Sequence, residues 1–443
     1  MEISLPWGND FLGLELPETW RVHMPERVNM SGHAQVNETD IVQAALENPQ
    51  EAGPVSSMSL SGRNILIIVD DNTRPTPVHR FFHLILKALE KAGAEFSKIH
   101  VMPALGIHTP MSQKEMEEKT GAANLEKITW SNHDAFDPSI HHDFGVTSRG
   151  TPVVLNSRVR KSDLVILVGM IEPHLWAGFG GGMKNLFPGV ASAEAIGSHH
   201  SMIAEPPYLF NRVGMTPDEN SFRQDLEETG KLVNADLFAL NVVLDENRGI
   251  AAAFAGDPVA VLRKGVEFNK KAAGISIKRP ADAVIVNSHP MDINFKQSMK
   301  CVGNSLPALK PGGIVMGFLR AEKGLDDISL PDKPPPLPIL RAILKVIGKS
   351  NTMGFLNLVK RGLNVEERFL TYYSMRLIRE YRLFFYVPSL SDKEVRHLGF
   401  FRSCKTPAGV IDAGGRLLEK NAEVAVFPDG GATYPDMASA QNG

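Results

Sequence analysis

Residues 64–75 read NILIIVDDNTRP, a short and nearly continuous apolar run that ends in two aspartates, a turn and an arginine. A run of that length without polar alternation is expected of a strand buried on both faces, as in a parallel sheet. The pattern repeats downstream. VHRFFHLILKALEKAG (78–93) has helical periodicity and a glycine stop. KIHVMPAL (98–105) reads as a second strand. SQKEMEEKTG (112–121) opens with Ser112 and Glu115 at capping-box spacing and ends at Gly121. Strand, helix, strand, helix predicts an α/β domain with a largely parallel sheet.

Similar segments lie on both sides of this stretch. TPVVLN (151–156) and DLVILVGM (163–170) are expected strands, and 191–203 and 258–274 expected helices. A second α/β unit starts near 280 with the strand DAVIVNS (282–288). Residues 296–313 read as helix and cap, and IVMGFL (314–319) and AEVAVFPDGG (422–431) as strands. The Pro-rich segment 330–338 reads as a linker, and 339–382 as largely helical. At the N-terminus, ISLPW and TWRVHMP suggest a short β-ribbon, followed by a helix over 40–47 and a loop over 50–62. The tail from Ala432 is small and polar, and fraying is expected there. The expected architecture is two α/β domains with largely parallel sheets, 1–275 and 280–443.

Bulk properties narrow the function. With 443 residues and 43 % apolar residues the chain can build sizeable cores, which excludes a mostly disordered protein. A net charge of −3 offers no electrostatic case for nucleic acid or an anionic membrane. Two cysteines, Cys301 and Cys404, form neither a disulfide scaffold nor a zinc knuckle, and fit a reducing compartment. MEISLPWGND lacks the basic and apolar regions of a signal peptide, and no stretch suits a transmembrane helix. A cytoplasmic protein is expected.

In open α/β sheets, ligands bind beyond the carboxyl ends of the strands. The loops there are unusual. Asp70-Asp71-Asn72-Thr73-Arg74-Pro75 comes after the first strand, and Gly106-Ile107-His108-Thr109-Pro110 after the second. Glu172-Pro173-His174 and the glycine-rich Gly178-Phe179-Gly180-Gly181-Gly182-Met183-Lys184 come after 163–170. His289-Pro290-Met291-Asp292, with Gln297 and Lys300, comes after 282–288. Taken singly, each has an ordinary explanation as a turn, a cap or a surface histidine. The glycine-rich loop is neither a nucleotide-hydrolase phosphate loop nor a dinucleotide fingerprint, although its N–H groups can still cradle a phosphate. Their joint placement at strand ends carries the weight.

Together these residues resemble the nickel-dependent lactate racemase family. The likeness runs through ISLPWG, ALENP, DDNTRPTP, GIHTPM, EPHLWAGFGGGMKNLFPGVAS and His200, continues with DINFKQSMK (292–300), and ends at VFPDGG (426–431). The resemblance implies a two-domain α/β fold with the active site in the interdomain cleft. It also implies a nickel-pincer nucleotide: a pyridinium mononucleotide whose two sulfurs and a ring carbon hold nickel together with one histidine. Lys184 matches the lysine that tethers the cofactor covalently, and His200, sixteen residues on, the nickel histidine. His108 and His174 match two acid/base histidines, one per substrate hand. Asp71, Arg74, Gln297 and Lys300 match substrate-binding positions, and Thr73, Gly181 and Gly182 cofactor-binding ones. The implied reaction racemises or epimerises a small-molecule 2-hydroxy acid by internal hydride transfer, after maturation by cofactor-biosynthesis enzymes. Lys296 stands where lactate-specific members place tyrosine, which permits a larger or more anionic hydroxy acid.

The chemistry is coherent. Sulfur, carbon and imidazole donors suit a late first-row metal. A substrate carboxylate needs a cation, and Arg74 can hold it bidentately. Imidazoles titrate near neutrality, where a hydroxyl proton must be taken and returned. The alternative is a metal-dependent lyase or hydrolase that uses the same histidines with an ordinary divalent ion.

Overall fold

The computed structural model describes residues 1–24, 37–202, 213–245, 248–277, 279–325, 336–348, 351, 354 and 365–436. The chain divides into two units. One comprises Asn29–Met202 and Met215–Ala272. The other comprises Met1–Val28, Ile203–Gly214 and Ala273–Gly443.

The Asn29–Met202 unit is built on a six-stranded sheet. In order across it lie Ile250–Gly256, Asp236–Leu244, Leu164–Met170, Ile65–Asp70, Ile99–Ala104 and Thr129–Trp130. All neighbours are parallel except the antiparallel edge pair Asp236–Leu244 and Ile250–Gly256. Every residue of Ile65–Asp70 and Leu164–Met170 is buried, which explains their unbroken apolar sequence. Ile65, Ile67 and Val69 share a core with Phe81, Phe82, Ile85 and Leu89 of the helix Val78–Lys91. Burying each such side chain contributes about 1.5–3 kcal/mol. Ser112 and Glu115 form the expected capping box at the start of the helix Gln113–Thr120.

The chain leaves Ile65–Asp70 toward Ile99–Ala104 on one side, and leaves the adjacent Leu164–Met170 toward Asp236–Leu244 on the other. The carboxyl ends of these two central strands are therefore the point where the topology reverses, the place where such sheets bind ligands. Both Asp71–Arg74 and Glu172–His174 begin there.

The other unit also carries a six-stranded sheet. Its order is Arg402–Ser403, Arg382–Tyr386, Leu309–Phe318, Ala281–Asn287, Glu423–Phe427 and Arg21–His23, all parallel. No helix among the described residues is long and apolar enough to cross a membrane.

Several expectations need correction. The N-terminal ribbon pairs Glu2–Trp7 with Asp10–Glu15, not with TWRVHMP. Arg21–His23 instead joins Glu423–Phe427, some 400 residues away in sequence. Ile3, Leu5, Leu14 and Trp20 pack with Ile285, Val424 and Val426, so the first residues group with the C-terminal part rather than with 29–272. Pro152–Asn156 lies outside the six-stranded sheet, in an antiparallel ribbon with His141–Val146. Gly312 and Gly313 lie inside the strand Leu309–Phe318 rather than capping a helix. Tyr434–Asp436 pairs in parallel with Gly274–Ser276, so the tail is ordered to that point. Most of the Pro-rich 330–338 lies outside the described residues.

Candidate active site

The loop after Ile65–Asp70 is held by its own side chains. Asp71 Oδ1 accepts from the Thr73 amide at 3.0 Å and the Thr73 hydroxyl at 2.6 Å, a local turn of the kind aspartate favours. Beneath it, Lys119 lies 2.7 Å from Asp70 Oδ1 and donates to the carbonyls of Asp71 and Arg74 at 3.1 and 3.2 Å. Thr76 also donates to Asp70. Burial raises the Asp70 carboxyl pKa, against the lowering charge and hydrogen bond of Lys119.

Two contacts leave this loop for neighbouring strand ends. Asp71 Oδ2 lies 2.5 Å from His108 Nδ1. Burial opposes ionisation of Asp71, but the hydrogen bond and charge of His108, the Thr73 hydroxyl and Arg74 lower its pKa to about 2. Arg74 Nε lies 3.0 Å from Glu172 Oε1, bridging the two strand ends at the topological reversal. Glu172, then Asp71 and Asp70, raise the guanidinium pKa. One carboxylate thus faces an imidazole and another fixes one edge of an arginine fork.

His174 pairs across a tight ribbon with Gly178. Its Nδ1 accepts from the amides of Trp176 and Ala177 at 3.3 and 3.2 Å. The Trp176 ring lies edge-on to both His174 and His200, at centroid distances of 6.2 and 5.0 Å. His200, on the helix Ala193–Ser201, donates from Nδ1 to the Ile196 carbonyl at 2.8 Å. Burial, then His199 and the charge of Lys184, lower its pKa to about 3 despite that carbonyl. Lys184 and His200 are thus close enough to interact electrostatically. His199 turns the other way, fully buried, with Nε2 donating to the Phe222 carbonyl at 3.1 Å.

The glycine-rich loop is bound along its length. Gly181 has φ +82°, and a Cβ there would stand 2.9 Å from the Met170 carbonyl oxygen, so only glycine fits. The Gly182 amide donates to Asn241 Oδ1 at 2.7 Å. Arg223, fully buried, donates to the carbonyls of Phe179 and Gly181, the latter at 3.2 Å, and Asn220 donates to that of Trp176 at 2.9 Å. Sequence reading missed Lys119, Arg223 and Asn241. The first two look like ordinary charged positions on helices, and the third interrupts an apolar run.

Gln297 and Lys300 lie on the other unit. Gln297 sits in the short helix Phe295–Ser298, its amide capped by Asn294 Oδ1 at 2.8 Å, and Lys300 opens the next helix. Nearby, the His289 ring lies 3.6 Å from Asp292 and 3.9 Å from Asp429, beyond the ends of adjacent parallel strands.

His200 suits a single metal bond. With Nδ1–H engaged by a carbonyl, Nε2 keeps the lone pair, and the low pKa keeps the ring neutral. Among the described residues no cluster of three or more His, Cys, Asp or Glu side chains is placed to hold a metal ion. A single neutral imidazole of this kind fits a late first-row metal only if the ion's other donors come from a bound group rather than from the protein.

A largely parallel α/β sheet with an imidazole, an arginine and a glycine-rich loop at its reversal point is a candidate ligand site of an α/β protein. Comparison with known proteins is more specific. Residues 7–208 match the lactate racemase N-terminal domain family. A lactate racemase of Thermoanaerobacterium thermosaccharolyticum is 33 % identical over 319 residues, covering 71 % of this chain and 73 % of that protein. One from Lactiplantibacillus plantarum is 31 % identical over 300 residues, 66 % of this chain and 68 % of that protein. The structure of the T. thermosaccharolyticum lactate racemase apoprotein superposes with TM-score 0.82 and 25 % identity, covering 98 % of this chain and 100 % of that one. A crystal structure of a protein from Thermotoga maritima shares the fold at TM-score 0.60 and 18 % identity, over 90 % of this chain and 97 % of that one. The chain belongs to the lactate racemase family, and it is an isomerase of the racemase type.

Proposed function

We propose that this chain racemises or epimerises a 2-hydroxy acid with a nickel-pincer nucleotide tethered at Lys184 and ligated by His200. The observation that carries the reading is His200 itself: a neutral ring, its Nδ1–H given to Ile196, lying within the electrostatic reach of Lys184. When bound, the group supplies an acceptor for the substrate Cα hydrogen with its electron pair. The side chains do the rest. Arg74, its Nε fixed by Glu172, presents its remaining N–H groups to the substrate carboxylate. His108 and His174 act as alternating acid and base on the substrate hydroxyl, and Asp71, which pairs with His108, is proposed as a substrate contact. Thr73, Gly181 and Gly182 are the proposed cofactor contacts. Gln297 and Lys300 are proposed as substrate contacts from the family resemblance alone.

The substrate class is a 2-hydroxy acid. Lactate, named for the relatives, is one member, and Lys296 permits a larger or more anionic one. The enzyme is proposed to work in the cytoplasm, in keeping with its two cysteines, and to need cofactor-building enzymes for maturation.

The test is production alongside those enzymes, followed by peptide mass analysis and metal assay. A mass increment on the Lys184 peptide with equimolar nickel is expected. His200→Ala should keep the increment and lose nickel. Matured protein that turns over a 2-hydroxy acid with no modification at Lys184 would contradict the tether.

A further inference from the structure

His199 and His200 are neighbours in the last turn of the helix Ala193–Ser201, and successive residues of a helix point about 100° apart. The two rings therefore meet different partners. His200 bonds through Nδ1 to the Ile196 carbonyl, which fixes the ring to its own helix but not the helix to its surroundings. His199 reaches outward. Its Nε2–H goes to the Phe222 carbonyl at 3.1 Å, on the helix Ser221–Glu228. Among the described residues this is the only hydrogen bond from 196–202 to another element.

The helix Ser221–Glu228 also holds the glycine-rich loop. Arg223 donates to the carbonyls of Phe179 and Gly181, and the latter accepts from the Lys184 amide at 3.3 Å. Asn220, the N-cap, donates to the Trp176 carbonyl. The Phe222 ring stands edge-on to His200 at 5.3 Å. One helix thus braces both the loop of Lys184 and the turn that carries His200.

Packing alone does not call for a histidine at 199. The ring is fully buried, against Phe222 at a centroid distance of 4.0 Å and edge-on to Phe187 at 5.2 Å. Asp225 Oδ2 lies 3.6 Å from Nε2, beyond hydrogen-bond reach, and takes the Thr151 hydroxyl instead. His199 Nδ1 is buried with no hydrogen-bond partner. Phenylalanine would fill the same aromatic niche without leaving a buried acceptor unpaired, which is a cost to the fold. What the imidazole adds is the N–H to Phe222.

We infer that His199 is a positioning residue: through the Phe222 carbonyl it ties the helix end that carries His200 to the element that holds the loop of Lys184. The imidazole and the lysine then keep their placement before any cofactor is loaded. This rests on the proposed roles of His200 and Lys184.

His199→Phe keeps a ring and removes both the N–H and the unpaired Nδ1, while the Phe222 carbonyl keeps the N–H of its own helix. Its thermal midpoint is expected at or above the wild-type value. In apo protein, amide exchange over 197–202 should quicken about tenfold, with the strand Leu164–Met170 unchanged. In matured protein, nickel release to a chelator should quicken about 10–100-fold, the usual effect of losing a group that orients a metal-bound imidazole. His199→Gln, whose amide N–H can reach the same carbonyl, should restore wild-type exchange and nickel release.

A lower midpoint with uniformly faster exchange in His199→Phe would make His199 a packing group only, and would overturn the inference. Unchanged nickel release in His199→Phe, or equally fast release in His199→Gln, would also overturn it. Should matured wild type hold no nickel, the proposed function fails, and exchange alone judges the brace. Faster exchange in His199→Phe, restored in His199→Gln, upholds it, and unchanged exchange overturns it.

Discussion

Lys119 reaches from the helix Gln113–Thr120 to the end of a central strand, placing its ammonium 2.7 Å from Asp70 Oδ1, with both side chains more than nine-tenths buried. The same ammonium holds the carbonyls of Asp71 and Arg74. Removing one partner of a buried pair leaves an uncompensated charge, which typically costs about 3–5 kcal/mol. Lys119→Met should therefore destabilise the fold by that order in denaturant titration. The double variant with Asp70→Asn should cost less than the sum of the two single changes. Strict additivity would show that the two groups are not coupled.

Arg74 and Glu172 make a second prediction. Lysine at 74 keeps the charge but loses the fork, so one charge-assisted hydrogen bond to a carboxylate is forfeited, worth about 1.5–3 kcal/mol. Arg74→Lys should raise KM about 10–100-fold in matured enzyme. Glu172→Gln should produce a smaller rise, because the fork remains but is less firmly oriented. An unchanged KM for Arg74→Lys would remove Arg74 from substrate binding.

Arg223 spends a fully buried charge on the glycine-rich loop. Burial pulls its pKa down to about 10, which leaves it protonated at neutral pH, and its N–H groups hold the Phe179 and Gly181 carbonyls. Arg223→Met should free that backbone. Amide hydrogen exchange across 177–184 is expected to accelerate, while exchange in the strand Ile65–Asp70 changes little. Uniform acceleration in both segments would mean a global loss of stability instead.

Three buried histidines set an acid response. Burial lowers the pKa of His100, His133 and His199 to about 4 each. All three sit below the ordinary value of about 6.5. As pH falls, the unfolded chain takes up these protons first. The stabilisation is complete above about pH 6.5 and is lost as pH falls toward about 4, by up to about 1.4 kcal/mol per pH unit per histidine. Thermal midpoints should decline across that window, and His133→Gln should flatten the slope. A slope unaffected by that change would show that His133 is protonated in the folded state.

The parts of the fold legible in sequence were those buried on both faces. Ile65–Asp70, Leu164–Met170 and Ala281–Asn287 are apolar because helices or loops cover both sides of them. Asp236–Leu244 is buried from Phe238 to Val243, but Asn241 breaks its apolar pattern while its Oδ1 serves the Gly182 amide. The pairing of Arg21–His23 with Glu423–Phe427 has no local signature, since its partner lies at the far end of the chain. In the site, strand-end loops marked the residues but not their partners. Lys119 and Arg223 resemble solvated helix positions until the fold turns them inward. Which group the Nδ1 of His108 or of His174 meets, a carboxylate in one case and two backbone amides in the other, follows from the fold and not from the local sequence.

The most direct test of the central claim is racemisation of a single 2-hydroxy acid enantiomer by matured enzyme in heavy water. The opposite enantiomer should form with its Cα hydrogen unlabelled, because that hydrogen is passed within the site and only the hydroxyl proton meets solvent through His108 and His174. Deuterium at Cα in the product would show proton abstraction instead, and would contradict hydride transfer.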